Sequence, residues 1–64
     1  MGFWIMHRHG RWILFGGFIE LLSVYAESRG EAKVLMLASL EQMAREFPER
    51  AEVCKNAIAA LWAE

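Results

Sequence analysis

The sequence contains no aspartate and no threonine, and only one asparagine, one proline and one cysteine. Each shortage excludes something. Asp, Asn and Thr compete with the helix backbone and populate turns, so their scarcity predicts few loops. Glutamate supplies all eight acidic residues, and glutamate suits helix interiors. A single cysteine, Cys54, rules out an intrachain disulfide. It lies within an apolar helical stripe and reads as a packing thiol of a reducing compartment, the cytoplasm.

Catalytic signatures are lacking too. Ser23, Ser28 and Ser39 have no His or Asp nearby in the chain. Gly16-Gly17 is not followed by the Lys-Ser/Thr of a phosphate-binding loop. The glutamates are spaced like a solvated face. No enzymatic activity, cofactor or metal is expected. The most apolar stretch, Trp12 to Tyr25, is interrupted by Glu20 and is too short to cross a bilayer as a helix of ~20 residues. The same Glu20 counts against a secretory leader built from Arg8, Arg11 and the apolar run after them.

What is present is bulk. Fifty-six per cent of the 64 residues are hydrophobic, with three Trp, four Phe and four Met among them. That exceeds the usual ~45–50 % and argues against disorder. A chain of this length buries only about 60 % of its unfolded surface. Without a disulfide, a partner chain is the expected stabiliser, so a homodimer is anticipated. Charge is uneven: residues 1–19 hold two arginines and no acid, whereas residues 20–64 hold eight Glu against five Lys or Arg.

Local signals divide the single domain, residues 1–64, into an arm (1–17) and a helical part (18–64). Phe3-Trp4-Ile5-Met6 and Trp12-Ile13-Leu14-Phe15 flank a polar, Gly-containing segment, the pattern of a β-hairpin or extended arm. Three helices are expected after it, at about 18–27, 30–46 and 48–63, giving a mainly α fold. Phe18, Leu21, Leu22 and Tyr25 fall on one face at helical spacing. Ser28-Arg29-Gly30-Glu31 is a capping box before the second helix. Pro48 fits a first helical position, so a corner between the last two helices is preferred over one long kinked helix. Met36, Leu40, Met43, Phe47, Ile58, Leu61 and Trp62 form the expected core or dimer seam.

Two constellations could carry chemistry. His7-x-His9 would place two metal ligands on one strand face, but no third ligand is tied to them by spacing. Trp4, Arg8, His9, Arg11 and Trp12 form a basic-aromatic patch of the kind that anchors protein interfaces. The expected function is therefore a non-enzymatic protein-binding module, an adaptor, regulator or inhibitor that occludes a partner's surface. It would self-associate through its helices and apolar arm and bind an unidentified protein. The alternative is a nucleic-acid-binding dimer using the same basic turn, but two arginines supply little phosphate affinity. Membrane association is not expected.

Overall fold

The computed structural model describes residues 2–64. Three strands come first: β1 (Phe3–Arg8), β2 (Arg11–Gly16) and β3 (Ile19–Tyr25). They form one antiparallel sheet in the order β1-β2-β3. Helix α1 (Arg29–Glu46) follows, then a 3-10 turn at Pro48–Arg50, then helix α2 (Ala51–Trp62). The fold is α+β, a sheet covered on one face by a helical hairpin, and the expectation of a mainly α chain with three helices is corrected.

The correction lies at residues 18–27. The helix expected there is strand β3. Its pairing with β2 shifts register between Leu14 and Phe15: Leu14 faces Leu22 while Phe15 faces Glu20. Leu21 is thus the extra residue of a β-bulge. Leu21 and Leu22 both pack against the core, which a regular alternating strand would forbid. That doublet is what made the helical spacing fit. The other two residues of the supposed helical face stay outside the core. Phe18 is 93 % exposed in a turn, and Tyr25 is 75 % exposed at the strand end.

Both turns of the sheet are two residues long. His9 (φ +53) and Gly10 (φ +77) have positive φ at both central positions, the type I′ pattern whose twist matches the strands. Gly17 (φ +64) precedes Phe18, whose φ is not positive, the type II′ pattern. The hairpin expected in the arm is therefore present with a tighter loop, and a third strand extends it. The addition matters because a lone hairpin is marginal in water.

Strand pleat sorts the side chains. The face toward the helices carries Phe3 and Ile5 from β1, Trp12 and Leu14 from β2, and Leu22 and Val24 from β3. Helix α1 contributes Ala32, Met36 and Leu40 at intervals of four. Helix α2 contributes Cys54, Ala57 and Leu61. Together with Trp12 and Leu14 these form the buried cluster.

The Ser28 cap forms as expected, with its Oγ accepting from the Glu31 amide at 3.1 Å. The Glu31 carboxylate reaches back one residue further, accepting from the Glu27 amide at 2.8 Å. At Pro48 the chain turns a corner, and the Phe47 amide donates to the Met43 carbonyl to close α1. Arg29 at the start of α1 bonds Glu64 beyond the end of α2 at 2.9 Å, so the two helices run antiparallel.

Candidate interaction surface

The helices cover one face of the sheet and leave the other open. On the open face the register places Trp4, Met6 and Arg8 of β1 opposite Phe15, Ile13 and Arg11 of β2. Trp4 and Phe15 stack with ring centroids 4.4 Å apart and planes 10° from parallel. The Trp4 indole N–H donates to the Gly17 carbonyl at 2.9 Å, which fixes the ring while leaving it 44 % exposed. Ile13 is only 5 % exposed although it is no part of the helix-side cluster. Its neighbours on the open face shield it. The result is an apolar strip along the sheet.

Polar groups edge the strip on the β3 side. Arg11 spans two strands: its guanidinium donates to Glu20 at 3.0 Å and to the Ser23 hydroxyl at 3.3 Å. An exposed ion pair of this kind contributes at most about 1 kcal/mol. Its importance is directional, because it holds Arg11 flat along the sheet and neutralises its charge. Ser23 and Ser28 are thereby engaged, one by Arg11 and one by the helix cap.

The five residues of the expected patch are split by the fold. Trp4, Arg8 and Arg11 share the open face, and His9 occupies the adjoining turn. Trp12 is corrected to a core residue. It is 8 % exposed, it lies on the helix side of the sheet, and its indole N–H donates to the Ala26 carbonyl at 3.0 Å. His7 stacks on it, with centroids 3.8 Å apart. His7 belongs to the strand and His9 to the turn with positive φ, so the two do not share a strand face. Among the described residues no group of three His, Cys, Asp or Glu is placed to hold a metal ion.

The expected seam is likewise divided. Met36, Leu40 and Leu61 are buried within the chain, and Met43 and Ile58 pack against them. These five side chains belong to the intrachain core. Phe47 and Trp62 are exposed, with Arg50 lying 5.7 Å over the Phe47 ring. A second apolar feature, which the sequence reading missed, is a groove of about 240 Å³ where β3 meets the helix corner. Ile19, Leu21, Met43 and Val53 line it, with Cys54 also on its wall. Its elements are far apart in sequence, and only the unforeseen third strand brings them together.

Comparison with protein-family models, curated proteins and solved structures finds no match for this chain.

Proposed function

We propose that this chain is a protein-binding module that occludes a partner's surface through the open face of its sheet. The observation that carries the reading is the Trp4–Phe15 stack set in an apolar strip with a charged margin. A dry apolar centre with a polar rim is the anatomy of protein interfaces, and Trp and Arg are their commonest anchors. Trp4 is held by its hydrogen bond to Gly17, so little side-chain freedom remains to be lost on binding. Arg8, at the turn end of β1, would meet an acidic group on the partner. Occlusion needs no catalytic group, which suits an adaptor, regulator or inhibitor, and self-association belongs to the same reading. A buried thiol at Cys54 suits the reducing cytoplasm. Among the described residues no helix is long and apolar enough to cross a membrane.

The nucleic-acid alternative has less support. Glu20 already neutralises Arg11, and phosphate affinity grows with the number of charges available.

The test is affinity capture from the source cell's extract on wild type, Trp4→Ala and Arg8→Glu chains of equal helicity. A partner retained by wild type and lost from both variants is the expected result. Identical retention on all three would remove the open face from the binding role.

A further inference from the structure

We infer that the free edge of β1 pairs antiparallel with β1 of a second copy, centred on Ile5, joining two sheets into one of six strands. The inference deepens the proposed self-association and gives it a place and a register.

The main-chain bonding pattern fixes which groups are available. The Gly17 amide donates to the Gly2 carbonyl at 3.0 Å, so the pair Gly2–Gly17 is a hydrogen-bonded one. Antiparallel pairs alternate between bonded and non-bonded. In the β1–β2 register, Trp4, Met6 and Arg8 therefore spend their amides and carbonyls on β2. Phe3, Ile5 and His7 turn theirs outward, toward the side where, among the described residues, the sheet has no further strand.

Exposed edges normally carry protection in the form of a bulge, a proline or a charge at mid-strand. The other edge of this sheet has it: β3 is bulged at Leu21 and carries Glu20 beside the bulge. Strand β1 has neither. All six of its residues pair with β2 in unbroken register, it contains no proline, and its one arginine stands at the turn end.

The edge is also self-complementary. A two-fold axis through Ile5 sets Ile5 against Ile5 of the second copy and Phe3 against His7 in both directions. These are the residues with outward main-chain groups, and every one of them is used. Opposed residues then share a face, as pleat demands. Trp4 lies against Met6 of the other copy, so the two open-face strips run on into each other. The two Arg8 residues end up six positions apart along the strand direction, roughly 20 Å. That is well beyond the ~8 Å screening length at physiological salt, so no like-charge contact opposes the pairing. Among the described residues, registers centred on Trp4 or Met6 satisfy fewer of the outward groups. A strand-edge contact sits at the low end of interface size, below the ~1,200 Å² of stable complexes. The dimer should therefore dissociate on dilution.

Amide hydrogen exchange followed by NMR on the full chain, at two concentrations bracketing the change in mass by light scattering, tests this. The mass should rise toward twice the 7.4 kDa of one chain. The Ile5 amide should exchange at least about tenfold more slowly in the concentrated sample, while Trp4 and Met6 are protected in both. A synthetic chain N-methylated at Ile5 keeps the Ile5 side chain and leaves the β2 bonds of Trp4, Met6 and Arg8 intact, and should stay monomeric with unchanged circular dichroism. The inference is overturned if the wild type stays at one chain mass. It is overturned equally if the wild type dimerises while the Ile5 amide exchanges freely, or if the N-methylated chain dimerises as well. Partner capture by the open face is read separately through Trp4 and Arg8, so either proposal can fail alone.

Discussion

Trp4 and Trp12 illustrate how much a single residue's setting decides. Both lie in apolar runs flanking the same polar segment, and nothing local to either separates them. Strand parity does: one faces the helices and the other faces away. Trp12→Ala removes a buried indole and its bond to Ala26. It should lower unfolding free energy by about 3–5 kcal/mol, measured by urea titration. That is a large share of the 5–15 kcal/mol typical of a domain, so this variant should be strongly destabilised rather than selectively unable to bind. Trp4→Ala loses chiefly an exposed stack, worth about 0.5–1.5 kcal/mol beyond its area, and should stay folded. Ser28→Ala, which deletes the acceptor for the Glu31 amide, should cost about 1 kcal/mol in the same titration.

The elements differ in how openly the sequence declares them. Helix α1 announces itself through its cap and α2 through Pro48, because these signals are local and chemically specific. The first hairpin is legible from its aromatic and β-branched runs. Strand β3 is not, because a bulge allows Leu21 and Leu22 to share one face and imitates helical periodicity. The pairing that decides the matter depends on β2 being in place. Within the hairpin, His9 carries the one positive φ among the described non-glycine residues. Asparagine tolerates that conformation better, and Asn-Gly is a favoured type I′ pair. His9→Asn should raise stability by roughly 0.5 kcal/mol, seen as a melting temperature about 2–4 °C higher. Gly17→Val should do the reverse, since a β-branched residue at φ +64 is strained.

At the scale of the whole molecule, the apolar surplus in the composition is only partly absorbed. One sheet face and one side of each helix close the core. The open sheet face, the β1 edge and the groove beside Val53 remain. The sequence pointed to the surplus but could not place it, since placement required the third strand. If β1 edges pair, folding and association are linked, and the melting temperature should rise with protein concentration. Scanning calorimetry across a roughly hundredfold range would show this, and a constant value would mean that association contributes nothing to stability. The order in which the strands are laid down has a separate consequence for kinetics. Neighbours in the sheet are neighbours in the chain, joined by two-residue turns, and the two helices form their own hairpin. Little chain entropy is lost in closing any of these loops, and contacts of low sequence separation speed folding. Stopped-flow refolding from urea should therefore be a single exponential, complete within about a few milliseconds. On that timescale the inner side of β1 is closed quickly by β2, while its outer edge stays open in the folded monomer.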